Sequence, residues 1–192
     1  RGSLENKNSE AVEVKKGESS NKVVIFDGTY TAKKDTAFLN EYEITLKSPS
    51  ALGTDEYVYF YLTIDGNEIT SDIPNGASST QEFFDMVEVK KGESVPVKLE
   101  ALARLDVLQT YSFDLTLKGE NEDGDPAGED TASTVDLKAV SHGSVIVSDV
   151  ANQQNTVTKD KRDVELARFV IKADDKSQIE STIENIAFTI NT

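Results

Sequence analysis

The sequence predicts an all-β protein built from tandem antiparallel β-sandwich modules. Apolar and polar residues alternate at period two over most of the chain, which is the pattern of half-buried strands. Turn signals such as Asp65-Gly66 follow these runs directly. In addition, one eight-residue segment occurs twice, which indicates a duplicated unit.

The clearest strand prediction is 57–64, where Val58, Phe60, Leu62 and Ile64 would face a core. Asp65-Gly66 then predicts a tight turn into a short return strand. Shifting such a strand by one residue would place polar side chains in the core, so the pattern also specifies the register. Five more runs have apolar faces of this kind, namely Tyr42/Ile44/Leu46, Phe113/Leu115/Leu117, Val135/Leu137/Ala139, Phe169/Ile171/Ala173 and Ile186/Phe188/Ile190.

One segment, 99–108, has the composition of a helix. It follows the strand-like Val95-Pro96-Val97, and the repeat aligns its start with a β-rich stretch. We therefore predict strand, or strand and turn, in preference to a short helix.

The repeated octapeptide is Val-Glu-Val-Lys-Lys-Gly-Glu-Ser, at 12–19 and at 87–94. Its first three residues predict a short half-buried strand, and Lys-Lys-Gly-Glu predicts a turn whose glycine adopts a positive φ. Similar strand patterns follow both copies, at 42–47 and at 111–118. The sequence therefore indicates duplicated modules.

The domain prediction has three parts. Residues 1–9 resemble a tag remnant and are expected to be a disordered leader. Residues 10–141 are expected to form one or more sandwich modules, and an alternative layout places an internal boundary near residue 85. Residues 142–192 are expected to form a second module that is truncated at its end.

Composition narrows the classes of function. The 192 residues include 35 acidic and 20 basic side chains, for a formal net charge of −15. This charge repels nucleic-acid phosphates and anionic lipids, and no apolar run approaches the ~18 residues of a membrane span. We therefore expect neither a nucleic-acid partner nor membrane insertion. The absence of cysteine excludes disulfides, thiol catalysis and thiolate metal sites.

Two segments carry a resemblance. The run 163–173 followed by 183–189, and the hairpin 61–69, resemble modules of large bacterial surface proteins. Those proteins are S-layer-like and adhesin-like arrays of immunoglobulin-like sandwiches. The resemblance implies tandem immunoglobulin-like modules at the bacterial cell surface, with a scaffold or adhesive role and no catalytic residues.

The acidic loop 119–130 holds six acids and no base. Clustered carboxylates beside glycine turns suit Ca²⁺, which takes 6–8 oxygen ligands, although the spacing is not that of an EF-hand. The predicted ligands are Asp123, Asp125, Glu129 and Asp130. The alternative is a solvated hairpin loop.

A second candidate is the tyrosine stripe Tyr57, Tyr59 and Tyr61, which could bind a glycan or a host protein. The alternative is cross-strand packing or contact with a neighbouring module. His142 is the only histidine and has no nucleophile motif beside it. A lysine–asparagine isopeptide link would need a buried lysine, for which Lys22, Lys98 and Lys172 are candidates.

Taken together, the sequence predicts a non-catalytic, extracellular structural or spacer module of a bacterial cell-surface protein. Its expected partners are neighbouring modules of the same protein or lattice. Two alternatives stay open: a carbohydrate- or protein-binding adhesive module, and an accessory domain of a surface enzyme.

Overall fold

The computed structural model describes residues 2–69, 80–143, 145–149, 168–173, 179, 183 and 186. Within these residues every regular element is a β-strand, which confirms the all-β prediction. The strands are β1 Gly2–Asn6, β2 Val12–Lys15, β3 Val23–Ala32, β4 Ala37–Ser48, β5 Tyr57–Ile64, β6 Asn67–Ile69, β7 Thr80–Phe83, β8 Val87–Val89, β9 Ser94–Arg104, β10 Thr110–Glu120, β11 Pro126–Ser133, β12 Leu137–Val140, β13 Val145–Asp149 and β14 Phe169–Ala173.

Two sheets enclose one hydrophobic core. The first has the strand order β1-β3-β9-β5-β6, and the second has the order β2-β12-β10-β4-β7, with β8 also paired to β4 and β11 to β10. Side chains from both sheets form a single buried cluster that includes Phe26, Leu62, Leu99, Tyr111 and Leu115. The described residues between 2 and 140 therefore form one β-sandwich.

The alternating patterns determine which face of each strand is buried. Val58, Phe60, Leu62 and Ile64 lie in the core, as predicted. The ambiguous segment beginning at Leu99 is the second half of β9, where Ala101 and Ala103 alternate with outward-facing neighbours. Tertiary packing of one apolar face outweighs the helical composition there.

The two halves of the repeat are interleaved within this sandwich. In the antiparallel pair β3–β9, Asp27 lies opposite Lys98, and in the pair β4–β10, Ile44 lies opposite Leu115. At each of these two positions the paired residues are 71 positions apart in the chain. Strands of the first half therefore pair with strands of the second half in both sheets.

The octapeptide copies have the predicted local structure. Each forms a short strand and then a turn, with φ of +77° at Gly17 and +79° at Gly92. The turn is closed by Glu18 N–H to the Lys15 carbonyl at 3.3 Å and by Glu93 N–H to the Lys90 carbonyl at 2.9 Å. Since glycine is the residue at positive φ, this is a type II turn.

The alternative boundary near residue 85 is corrected by this topology. Strands from both sides of that position lie side by side within both sheets and share one core, because the two halves of the chain together form the sandwich.

The predicted disordered leader is also corrected. Gly2–Asn6 form β1 on the edge of β3, and Leu4 is buried. A Cβ on Gly28 would overlap the Glu5 carbonyl, so this glycine permits the close approach of β1.

The predicted second module, 142–192, lies largely outside the described residues. Within it, β13 and β14 form a two-stranded antiparallel sheet, and the strand predicted at Ile186/Phe188/Ile190 falls outside the described elements. The module boundary near residue 141 stays a prediction.

The first residue of β1 and the last residue of β12 lie at opposite ends of the sandwich. Gly2 pairs with Ala32, at the last residue of β3. Val140 pairs with Lys15. After the turn that follows Lys15, Ser19 pairs with Arg104 at the end of β9, next to the first residues of β3. We refer to these as the Ala32 end and the Val23 end.

Candidate functional site

The predicted tyrosine stripe forms a continuous outward face on β5. Tyr57, Tyr59 and Tyr61 are half-buried on the side of the strand that faces away from the core. The rings of Tyr57 and Tyr59 have centroids 4.8 Å apart at an interplanar angle of 34°. The Lys22 ammonium lies 3.4 Å from the centroid of the Tyr61 ring, which is a cation–π contact. The structure therefore brings the three predicted residues together.

The neighbouring strand completes this surface. The register places Arg104 beside Tyr57, Leu102 beside Tyr59 and Glu100 beside Tyr61. The tyrosines, Leu102 and the charged groups form what we call the aromatic face. Such a face offers ring surfaces for stacking and phenol hydroxyls for hydrogen bonds.

The acidic loop is a hairpin connection between β10 and β11. The Asn121 side-chain oxygen accepts hydrogen bonds from the backbone N–H of Asp123 at 3.0 Å and of Asp125 at 2.9 Å. Both aspartates are exposed at the tip, whereas Glu129 and Asp130 lie on β11. Asp130 accepts a hydrogen bond from Leu4 N–H at 2.7 Å, so it also anchors β1.

Among the residues that the structure describes, no three His, Cys, Asp or Glu side chains form a group that could hold a metal ion. The Ca²⁺ site at Asp123, Asp125, Glu129 and Asp130 stays a prediction. Ca²⁺ binding would raise the thermal unfolding midpoint in millimolar calcium, and a chelator would reverse the rise.

Sequence reasoning missed Glu56, a carboxylate that is only 3% exposed. Its Oε2 accepts Gly53 N–H at 2.7 Å, and its Oε1 accepts Asp106 N–H at 2.8 Å, Val107 N–H at 3.0 Å and the Tyr111 hydroxyl. The carboxylate thus ties the β4–β5 and β9–β10 loops to β10. Its sequence signal, an acid directly before an alternating strand, is common to many exposed loops.

The hydrogen bonds to Glu56 control its ionisation. Burial acts to raise the pKa of Glu56, but the Tyr111 hydroxyl and the three backbone donors outweigh this effect and hold the pKa below its ordinary value. Burial, followed by the hydrogen bond to Glu56, raises the pKa of Tyr111 to about 12. Glu56 is therefore a satisfied anion rather than a poised proton acceptor.

Towards the Ala32 end, two buried tyrosine hydroxyls donate hydrogen bonds to backbone carbonyls. The Tyr30 hydroxyl donates to the Gly128 carbonyl at 2.8 Å, and the Tyr42 hydroxyl donates to the Leu39 carbonyl at 2.9 Å. Burial, with a smaller contribution from the Asp130 charge, raises the pKa of Tyr30 to about 12. These hydroxyls remain protonated, and the Tyr30 hydroxyl joins β3 to β11.

The remaining candidates lie at exposed positions. His142 and Lys172 are exposed. The Lys98 ammonium contacts Glu100 at 3.0 Å on the outer sheet face, and Lys22 covers Tyr61. The three lysines therefore lack the apolar burial that an isopeptide link requires.

Comparison with known proteins gives only distant structural similarities. No protein-family profile and no curated protein matches the chain. The N-terminal domain of PorA is similar at 18% identity and a TM-score of 0.36, covering 72% of this chain and 91% of that one. BcpA, the major pilin subunit of Bacillus cereus, is similar at 11% identity and a TM-score of 0.40, and 77% of this chain covers 42% of the pilin. In the described part of the chain no helix has the length and apolarity of a membrane span.

Proposed function

We propose that the chain is a non-catalytic spacer in a bacterial cell-surface protein, joined to neighbouring immunoglobulin-like modules. The observation that carries this proposal is that the sandwich begins at the Ala32 end and finishes at the Val23 end. The ten residues of β3 span the distance between these ends, about 33 Å at ~3.3 Å per residue. Each module inserted in series would therefore add length.

The chemistry of the buried polar groups supports a structural role. Glu56, Tyr30 and Tyr111 are hydrogen-bonded to backbone groups or to each other, so they hold segments of the sandwich together. The excess of 15 negative charges keeps an extracellular surface soluble.

The spacer function can be tested on a bacterial cell. One, two or three copies of the chain are placed between a cell-wall anchor and an epitope, and the height of the epitope above the cell wall is measured by fluorescence. The proposal predicts a constant increment for each copy. A matched series of a domain whose termini lie at the same end should add less height. An epitope height that does not increase with copy number would contradict the spacer function.

A second candidate function, an adhesive module for a glycan or a host protein, is favoured by the aromatic face. Its rings are adjacent and lie on an outer sheet face. This function predicts glycan-array or host-protein binding that is lost in Tyr59→Ala and retained in Thr63→Ala, which changes an outward residue of the same strand. Binding that is equal in the two variants, or absent from the parent protein, would remove this candidate.

A further inference from the structure

We infer that the parallel pair β2–β12 is a mechanical clamp that resists force when tension is applied before β2 and after β12. The inference rests on the proposed spacer function, and it assigns the resistance to one strand pair. A spacer between a cell and its surroundings experiences tension along the chain. At the start of the sandwich this tension acts first on β1, which pairs with β3, and then on β2, whereas at the other end it acts on β12.

The direction of the two strands determines how they are loaded. β2 and β12 pair in parallel through four residues each, from Val12 with Leu137 to Lys15 with Val140. Hydrogen bonds join Val12 N–H to the Asp136 carbonyl at 2.8 Å and Lys16 N–H to the Val140 carbonyl at 2.9 Å, at the two ends of the pair. Tension that arrives before β2 and leaves after β12 pulls these strands along their lengths in opposite directions.

Lengthwise loading strains all the hydrogen bonds of the pair together, and they must break together. Pulling both strands apart from one end instead breaks the bonds one after another. Forced unfolding is governed by the height of the unfolding barrier rather than by equilibrium stability. The same bonds therefore give a higher unfolding force in the lengthwise direction.

Neighbouring contacts prevent the two strands from sliding free. Val14 is 1% exposed in the core. After β2, the Ser20 N–H donates to the Ala103 carbonyl in β9, and the Gly17 N–H donates to the Leu105 carbonyl just beyond β9. β12 is held on its other side by β10, with Ala139 N–H bonded to the Gln109 carbonyl at 3.0 Å. Slippage of either strand requires these contacts to break as well.

The test uses the full chain, which contains no cysteine, so engineered cysteines give unique attachment points. The pair Ser9→Cys with His142→Cys places the handles before β2 and after β12 and loads the clamp lengthwise. The pair Lys16→Cys with His142→Cys places both handles at the Val23 end and peels the same two strands apart. Single-molecule pulling should give an unfolding force at least about twofold higher in the lengthwise geometry.

The second octapeptide copy provides a matched control. Proline is favoured at the second position of a type II turn, so Lys16→Pro fits the first turn and removes only the hydrogen bond to Val140. Lys91→Pro makes the same change in the second turn, outside the clamp. The inference predicts that Lys16→Pro lowers the lengthwise force and that Lys91→Pro leaves it at the parent value.

Equal forces in the two pulling directions would overturn the clamp, and so would equal effects of the two proline substitutions. These outcomes are separate from the test of the spacer function. If the epitope height grows with copy number but the two pulling forces are equal, only the clamp is contradicted. If the epitope height stays constant, the spacer function is contradicted, whatever the pulling forces are.

Discussion

The two copies of the octapeptide have the same sequence and the same turn, but they pair with different strands. In the first copy, β2 runs parallel to β12, and in the second, β8 runs antiparallel to β4. The Gly17 N–H donates to the Leu105 carbonyl, just beyond β9, and the Gly92 N–H donates to the Ala32 carbonyl, at the end of β3. Eight residues therefore encode the strand and turn, whereas the rest of the chain determines the partner.

The surroundings of the two turns also differ. At the Val23 end, Leu105 is followed by Asp106 and Val107, whose N–H groups bind the buried Glu56. At the Ala32 end, the corresponding loop begins with the exposed Lys33, Lys34 and Asp35. The Val23 end therefore depends on one buried charge, and loss of that charge should be more destabilising than loss of a charge at the Ala32 end.

The largest effect is expected from Glu56→Ala. It leaves four donors without their acceptor in a buried site, so the free energy of unfolding should fall by about 3–5 kcal/mol. Asp35→Ala, the control at the Ala32 end, should change it by less than about 0.5 kcal/mol. Urea unfolding of both variants checks the difference, and similar losses would break the distinction between the two ends.

The pH dependence of stability should also follow Glu56. Its pKa is held below the ordinary value of 4.5 in the folded state, so the unfolded chain binds more protons between the two values. The stabilisation is complete above pH 4.5 and is lost as the pH falls through the folded pKa. Glu43 and Asp114 also have lowered pKa values. Both groups are present in the parent protein and in Glu56→Gln, so their contributions cancel when the two proteins are compared.

The comparison of these two proteins therefore isolates the contribution of Glu56. Unfolding measured from pH 6 to pH 3 should show a shallower loss of stability in Glu56→Gln than in the parent. Parallel curves would mean that Glu56 does not titrate as the structure indicates.

A smaller and equal effect is expected at the two turn glycines. Gly17→Ala and Gly92→Ala each place a side chain at positive φ, which costs about 1–2 kcal/mol. A Cβ at Gly17 would approach Asp106 only to 3.6 Å, and one at Gly92 meets nothing within 4 Å. Thermal unfolding should show similar losses in the two variants, whereas a loss confined to one copy would mean that the turns are not equivalent.

The smallest effect is expected at the surface ion pair of the first turn. The Lys15 ammonium lies 2.5 Å from the Glu18 carboxylate, but both side chains are largely exposed. Glu18→Gln should change the free energy of unfolding by less than about 0.5 kcal/mol. A loss comparable to that of Gly17→Ala would show that the ion pair, rather than the glycine, determines this turn.

Local structure could be predicted from the sequence because it depends on neighbouring residues. The alternation in Tyr57–Ile64 fixed the buried face of β5, and the glycine in each octapeptide indicated the positive-φ turn. The repeat indicated a duplication, but its period is equally compatible with two separate sandwiches or with two interleaved halves. The pairings of β3 with β9 and of β4 with β10 distinguish them, and these pairings join residues from 63 to 82 positions apart.

The candidate sites, too, could be predicted where they depend on neighbouring residues and could not where they depend on residues far apart in the chain. The outward direction of the three tyrosines followed from strand periodicity. Glu56 could not be identified because three of its donors, at Asp106, Val107 and Tyr111, lie 50 to 55 residues away in the chain. Asp130 was predicted as a metal ligand from its local cluster, and the structure also gives it a partner 126 residues away in Leu4.

The interleaving of the two halves can be tested directly with the pair Asp27→Cys and Lys98→Cys. These residues lie opposite each other on an exposed sheet face, where cross-strand Cα separations of about 4.5–5.5 Å permit a disulfide. Arg104→Cys replaces Lys98→Cys in the control, about 20 Å further along β9. Mild oxidation should cross-link the first pair within monomers and leave the second pair reduced. Failure of the first pair to cross-link, or equal cross-linking of both pairs, would contradict a single sandwich built from two interleaved repeats.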